Sequence, residues 1–197
     1  MLTNTDQVAV ALTSVVVVQA ALAQTNATYL LVSSNTVSPT TPTTTIGVWT
    51  TWGDPGAEFV LVGADYNLTA EDGVFSNPVN VLNGPGSSTG VITGNLISGA
   101  VNGQLTSPHP LSLWSRDNPI LLATYDWTTT DFTSRVVDLH TSNTSGFIVG
   151  VFATGATLQL YPQEFTPGSG VINVIPAPGA WPLACLLLAS TRRRRRR

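Results

Sequence analysis

The chain has 197 residues, only 10% of them charged, and a formal net charge of −3 at neutral pH. It contains no lysine, and six of its eight basic residues are the arginines that close the sequence. The remainder is therefore acidic, which argues against a nucleic-acid-binding face. The single cysteine, Cys185, excludes an internal disulfide and a thiolate metal site in the rest of the chain.

Residues 1–23 are predicted to be a secretory signal peptide. The stretch 8–23 is apolar, and Ala21 and Ala23 before Gln24 fit the small-x-small cleavage pattern. No Lys or Arg precedes the apolar run, which departs from the usual form of such signals. A buried first strand or helix is the alternative interpretation.

Residues 24–175 are predicted to form a single all-β domain, a β-sandwich of jelly-roll type. Short β-branched and aromatic segments alternate with turn signals at intervals typical of a sandwich, and no segment shows a sustained helical period. A sandwich of this length can bury a sizeable core. The predicted strands cover 28–37, 44–52, 58–68, 74–75, 79–82, 118–127, 132–141, 146–153, 157–161 and 170–175, and the stretch 91–105 is predicted as a strand or a hairpin.

Four tryptophans of this domain are candidates for a sugar-binding face: Trp49, Trp52, Trp114 and Trp127. Successive side chains of a strand point to opposite faces, so Trp49 and Trp52 cannot both lie on the same side of a regular strand. Alternation in the segment 44–52 places Ile46 and Val48 on one face and Trp49 on the other. At least one of the pair is therefore expected in the core.

Nucleophilic or zinc chemistry has little support in the sequence. The segment 86–90 matches G-x-S-x-G by letters, but a nucleophile elbow needs a strand before the serine and a helix after it. A flexible loop is the preferred interpretation. The two histidines, His109 and His140, lack the further ligands that a zinc site requires, and they are expected in turns or on the surface.

A calcium site is the one cofactor that the acidic residues leave open. Calcium takes carboxylate and carbonyl oxygens from loops, but no D-x-D-x-D-G loop is present. The expectation is therefore no cofactor, with solvated acidic turns as the simpler interpretation of the two carboxylate groups. These groups are Asp65, Glu71 and Asp72, and Asp126, Asp131 and Asp138.

The last residues, 176–197, form a separate segment with three parts: a Pro-x-Pro break, an apolar run and an arginine cluster. The stretch 179–191 has 13 residues. As a helix it would be about 20 Å long at roughly 1.5 Å per residue, against a bilayer core of about 30 Å. A short helix of this kind suits a transient membrane anchor, with the arginines on the cytoplasmic side. A helix packed on the domain is the alternative.

This ending resembles a PEP-CTERM sorting signal, with alanine in place of the usual glutamate between the prolines. The resemblance implies an exosortase-type transpeptidase as a partner, together with the export machinery. The residues that match the signal are Pro176, Ala177, Pro178, Gly179, Arg192, Arg193, Arg194, Arg195, Arg196 and Arg197.

The body is also faintly similar to cohesin-type sandwiches, in which strand–turn–strand units build a binding face. The likeness rests on the segments 48–52, 59–67 and 75–79. It implies no particular binding residue.

These observations predict an exported envelope or extracellular-matrix protein without enzymatic activity. Its expected contacts are the membrane, through the C-terminal helix, and exopolysaccharide or other surface proteins. A carbohydrate- or protein-binding module of cohesin-like type is the alternative, and a secreted hydrolase is the third hypothesis.

Overall fold

The computed structural model describes residues 26–53, 59–104, 115–150 and 160–176. In these ranges the chain is all-β and packs as a sandwich of two sheets, which confirms the predicted fold class. The strands are β1 (Ala27–Val32), β2 (Thr36–Val37), β3 (Thr43–Thr51), β4 (Phe59–Ala70), β5 (Val74–Asn80), β6 (Val91–Thr93), β7 (Leu96–Gly103), β8 (Ile120–Thr128), β9 (Arg135–Gly150), β10 (Leu160–Glu164) and β11 (Ser169–Val174).

The two sheets differ in size. Sheet A has four strands in the order β1-β3-β8-β5, and sheet B has the order β2-β11-β9-β4-β7-β6 with β10 added on β9. All pairs are antiparallel except β2 with β11. The long strand β9 serves two partners along one edge, because β11 pairs with its first half and β10 with its second.

The core lies between the sheets and is built by the alternation of each strand. In β3, Thr44, Ile46 and Val48 are buried, whereas Thr45 and Trp49 are more exposed. Burying a large apolar side chain contributes roughly 1.5–3 kcal/mol, so the large buried side chains together supply much of the stability of the domain. The largest buried side chains are Trp52, Trp127, Tyr66, Tyr125, Ile46, Leu61, Leu68, Ile97, Leu122, Leu139 and Ile172.

Three strand predictions were wrong in detail. The segment 28–37 was predicted as one strand, but it divides into β1 of sheet A and β2 of sheet B. Segments 132–141 and 146–153 were predicted as separate strands, but the chain runs unbroken through β9. Between the paired residues Ser142 and Ser145, β9 has two residues opposite the single residue Tyr66 of β4, which makes a bulge. Asn143 lies there with φ of 51°, and asparagine tolerates this left-handed conformation. The turn-like sequence therefore bends the strand and does not end it.

The segments 74–75 and 79–82 were also predicted as separate, and they belong to one strand, β5. Its register with β8 shifts between Ser76 and Val79, where Asn77 has φ of 47°. Pro78 fits here because β5 is the last strand of sheet A in the strand order, and an edge strand tolerates a missing N–H.

The predicted signal segment 1–23 and the apolar C-terminal helix lie outside the described residues. Of the sorting segment only Pro176 is described, and it is exposed at the surface. In the part of the chain that the structure describes, no helix is long and apolar enough to traverse a bilayer. The domain limits at 24 and 175 stay predictions.

Candidate functional site

The outer face of sheet A is the candidate site, because it joins an accessible tryptophan to a fixed carboxylate. The cross-strand register brings Tyr29, Trp49 and Leu121 together at one end of this face. It brings Thr45, Asp126 and Ser76 together toward the other end. We call these the tryptophan end and the carboxylate end.

At the tryptophan end the indole of Trp49 lies over Gly47 of the same strand, β3. The rings of Tyr29 and Trp49 are nearly parallel, at 16°, with centroids 6.2 Å apart. A Cβ added to Gly47 would come within 2.9 Å of Trp49 Nε1 and 3.3 Å of a Leu121 methyl group. The missing side chain at Gly47 therefore makes the space that the indole occupies.

Tyr29 supports this indole from the neighbouring strand. It is 9% exposed, and its hydroxyl group is buried without a hydrogen-bond partner. Burial raises the pKa of the Tyr29 phenol well above its usual value, because the charged form would lose its hydration. Tyr29 therefore packs against the indole as an uncharged side chain at every physiological pH.

At the carboxylate end, Asp126 is held by two side chains from the flanking strands. Its carboxylate accepts hydrogen bonds from Thr45 Oγ1 at 2.7 Å and from Asn77 Nδ2 at 2.9 Å. Val74 and Val79, both on β5, are each 53% exposed beside it. The result is an oriented acceptor with a rim of apolar surface, which suits recognition of a donor on a partner.

A groove of about 560 Å³ adjoins the tryptophan end. It opens between Trp49 and the loop that leads into β8, and its lining consists of Trp49, Val81, Leu82, Ser115, Asp117, Asn118, Pro119, Ile120 and Leu121. The size falls in the range of roughly 300–1,000 Å³ that is typical of small-ligand sites.

The described part of the loop before β8, residues 115–119, is held by hydrogen bonds at two points. Asn118 accepts a hydrogen bond from Thr51 Oγ1 at 2.7 Å and donates one to the Trp52 carbonyl at 2.8 Å. Gln104 accepts from the Ser115 N–H at 2.7 Å and donates to the Ser115 carbonyl at 3.2 Å. The groove wall is therefore preorganised rather than formed on binding.

Of the four candidate tryptophans, the structure leaves one on this surface. Trp52 and Trp127 are both 0% exposed, and Trp127 Nε1 donates to the Asp72 carbonyl at 2.8 Å. The expectation that Trp49 or Trp52 belongs to the core is confirmed. Trp114 lies outside the described residues.

The serines of the G-x-S-x-G match hold a turn. Ser87 Oγ accepts from the Gly103 N–H at 3.1 Å, and Ser88 Oγ accepts from the Gly90 N–H at 3.1 Å. The segment leads into β6, a strand, so the strand–turn–helix context of a nucleophile elbow is missing there. His140 is exposed on sheet B, and His109 lies outside the described residues.

The carboxylates that the sequence grouped are dispersed over the sandwich. Asp126 lies on sheet A, and Asp65 and Asp138 are exposed on sheet B. Asp72 and Asp131 both pair with Arg135, at 2.7 and 3.5 Å. Across residues 26–53, 59–104, 115–150 and 160–176, no three His, Cys, Asp or Glu side chains group as metal ligands.

Sequence reasoning missed the residues that position this face: Tyr29, Gly47, Asn77 and Asn118. One of them carried a readable signal, because a glycine inside a strand pattern often marks a close approach. The others are ordinary strand or turn residues whose partners come from distant parts of the chain, and single-sequence patterns do not show such partners.

No protein-family model matches the sequence, and no curated protein matches it. The fold, in contrast, does match solved structures. The fold is similar to a cohesin module from a Clostridium perfringens ATCC13124 family 33 glycoside hydrolase, with TM-score 0.50 and 7% identity, covering 78% of this chain and 100% of that chain.

Two further matches are type I cohesins. The seventh ScaB cohesin of Pseudobacteroides cellulosolvens has 13% identity and TM-score 0.49, covering 78% of this chain and 96% of its own. A Clostridium thermocellum chain solved in a cohesin–dockerin complex has 10% identity and TM-score 0.49, covering 76% of this chain and 100% of its own. At the level of fold, the expected likeness to cohesins is confirmed.

Proposed function

We propose that the domain is a non-catalytic protein-binding module of an exported protein, and that its partner docks on the outer face of sheet A. The observation that carries this proposal is Asp126, whose carboxylate is held by Thr45 and Asn77 on a sheet face between exposed valines. An oriented acceptor surrounded by apolar area combines specificity with desolvation, as in the centre of many protein interfaces.

The location of the partner can be tested by site-specific photo-crosslinking in the native host. A crosslinker at Thr124, on the outer face of sheet A, is expected to trap one protein reproducibly. The matched control carries the same group at Asp138, an exposed position on sheet B. Equal trapping from both positions would contradict docking on sheet A.

The trapped protein, purified separately, then allows affinity measurements. We expect Asp126→Ala and Val79→Asp to weaken binding at least tenfold, because the first removes the oriented acceptor and the second places charge in the apolar rim. Val136→Asp, at an exposed valine of sheet B, is the control and should bind as the wild type does. Unchanged affinity in both sheet A variants would contradict the proposal.

We also propose that the chain is exported, carried to the envelope and sorted through residues 176–197. The support is the order of Pro176, Pro178, the apolar run and Arg192–Arg197 in the sequence. A module held there by a short helix would contribute to the cell surface or its matrix without enzymatic activity.

Intact mass of the mature protein tests this second proposal. We expect the mature chain to begin near Gln24 and to end close to Pro178. Deletion of 192–197 should block the C-terminal processing, and Ala177→Glu should retain it. A full-length cytoplasmic chain would contradict export and sorting together.

A further inference from the structure

We infer that the groove beside Trp49 is a separate binding site for a neutral glycan with flat pyranose faces. The site lies at the tryptophan end of sheet A, whereas the proposed protein contact centres on the carboxylate end. Variants at Asp117, which lines the groove, and at Asp126, which lies at the carboxylate end, can therefore separate the two sites.

The first support is the fixed orientation of Trp49. Gly47 leaves room for the indole, Tyr29 lies parallel to it, and Leu121 contacts the same space from β8. A large aromatic side chain that is only partly buried and held in one position provides an apolar surface at low entropic cost. The C–H faces of a pyranose ring are the natural partner of such a surface.

The second support is the pair of free polar groups around that surface. In the described chain, no hydrogen bond engages Trp49 Nε1, and neither a hydrogen bond nor an ion pair engages the Asp117 carboxylate. One is a donor and the other is an acceptor. Sugar hydroxyl groups both donate and accept, so a single glycan can satisfy the two groups while it stacks on the indole.

The third support is the rigid wall opposite the indole. Residues 115–119 are anchored at two points. Asn118 bonds to Thr51 and Trp52 at the end of β3, and Ser115 bonds to Gln104 just after β7. Asp117 is tied further, since its N–H donates to Ser115 Oγ at 3.1 Å. An acceptor carried by an anchored backbone favours a ligand of defined hydroxyl geometry over an adaptable apolar chain.

Charge argues for a neutral ligand. Asp117 lines the groove and is exposed, whereas Arg116, its neighbour in the chain, is not among the lining residues that the structure describes. The described lining therefore carries one negative charge, which would repel an anionic polysaccharide, and a single carboxylate offers no acidic cluster for a polycation. An aromatic surface beside one acceptor is met best by uncharged sugar units.

The test is titration with three soluble hexasaccharides, β(1→4)-linked glucose, xylose and mannose, followed by NMR of the tryptophan indole N–H signals and by calorimetry. All three present extended ribbons with flat pyranose faces. We expect at least one to shift the Trp49 signal with a micromolar to millimolar Kd. Failure of all three to shift that signal would overturn the inference.

Variants assign the site. Trp49→Ala should abolish the binding, Trp49→Phe should retain part of it, and Asp117→Asn should weaken it several-fold. Asp126→Ala, which is expected to weaken binding of the protein partner, should leave the glycan affinity unchanged. Glycan binding that survives in both Trp49→Ala and Asp117→Asn would overturn the assignment to this groove, and it would leave the protein-binding proposal untouched.

Discussion

The hydroxyl groups of Tyr66 and Tyr125 lie 2.9 Å apart in the core between the two sheets. Tyr66 projects from β4 and Tyr125 from β8, and they are 2% and 0% exposed. Tyr125 also donates a hydrogen bond to the Thr89 carbonyl at 3.0 Å. Its proton is therefore used toward Thr89, so Tyr66 must be the donor in the tyrosine pair.

This direction predicts unequal effects of removing the two hydroxyl groups. Tyr66→Phe leaves Tyr125 bonded to Thr89, and it should cost about 0.5–1.5 kcal/mol of unfolding free energy. Tyr125→Phe strands the Tyr66 donor in the core and also removes the donor to the half-buried Thr89 carbonyl, so it should cost about 1–3 kcal/mol. Urea unfolding of the two variants measures the difference. Equal losses would show that the bonds run in another direction.

The same pair predicts loss of stability in alkali. Burial raises the pKa of Tyr125 to about 12, and burial together with its neighbour raises that of Tyr66 further. The unfolded chain loses these protons near pH 10, so the stabilisation is complete below about pH 10 and is lost as pH rises through about 12. Unfolding midpoints should fall steeply across this interval, and less so in Tyr66→Phe. A flat profile would contradict the burial of the pair.

Gly73 is expected to tolerate no side chain. Its φ is 78°, and an added Cβ would lie 2.4 Å from the Trp127 ring. Gly73→Ala should cost roughly 1–2 kcal/mol for the left-handed backbone and about 1–3 kcal/mol more for the overlap. Gly86→Ala is the matched control, because Gly86 has φ of 85° and open space around its Cβ position. Thermal unfolding should separate the two, and similar losses would show that the overlap relaxes.

A substitution at Gly47 should change the position of the Trp49 indole and leave the fold intact. In Gly47→Ala the new methyl group displaces the indole, so the Trp49 indole N–H resonance should shift and hexasaccharide binding should fall. Gly170→Ala is the control, since its Cβ would meet neighbours only at ordinary distances of 3.4 Å or more. Its binding should match the wild type. An unshifted Trp49 signal in Gly47→Ala would contradict the packing described for the tryptophan end.

Arg135 is expected to hold the loop between β8 and β9 in place. It donates to the Asp72 carboxylate at 2.7 Å, to the Asp131 carbonyl at 2.7 Å and to Thr129 Oγ1 at 3.1 Å. Arg135→Ala should speed hydrogen exchange in the segments 129–134 and 71–73. It should cost about 1.5–3 kcal/mol, as expected for hydrogen bonds to charged groups.

Acid should loosen the same loop. Hydrogen bonds from the backbone and side chain of Thr133, with the charge of Arg135, lower the pKa of Asp131. A lowered folded-state pKa stabilises the domain above the usual pKa of aspartate, and this contribution is lost as pH falls through the folded value. The measurement compares protection factors, because the chemical exchange rate itself changes with pH. Protection factors that stay unchanged both in acid and in Arg135→Ala would show that the loop is held by other contacts.

The sheets were predictable because their signals are local. Alternation in β3 placed Trp49 on the face opposite to Ile46 and Val48, and glycine-containing turns separated most of the strands correctly. The errors at Asn77 and Asn143 have a shared cause, since both residues bend a strand whose continuation is decided by the neighbouring strand. The candidate site depended on register: Tyr29 meets Trp49, and Thr45 meets Asp126, only after β1 and β8 have paired with β3.

The last strand also has a mechanical consequence. Strand β11 lies between β9 and β2, and just before Pro176 the Ile175 N–H still donates to the Val37 carbonyl at 2.9 Å. A tether that continues beyond Pro176 would pull along β11, whereas its hydrogen bonds to β9 run across the strand. The whole ladder would then bear tension together in shear and would not unzip one bond at a time. A partner that pulls on sheet A would therefore meet a domain that resists being pulled away from such a tether.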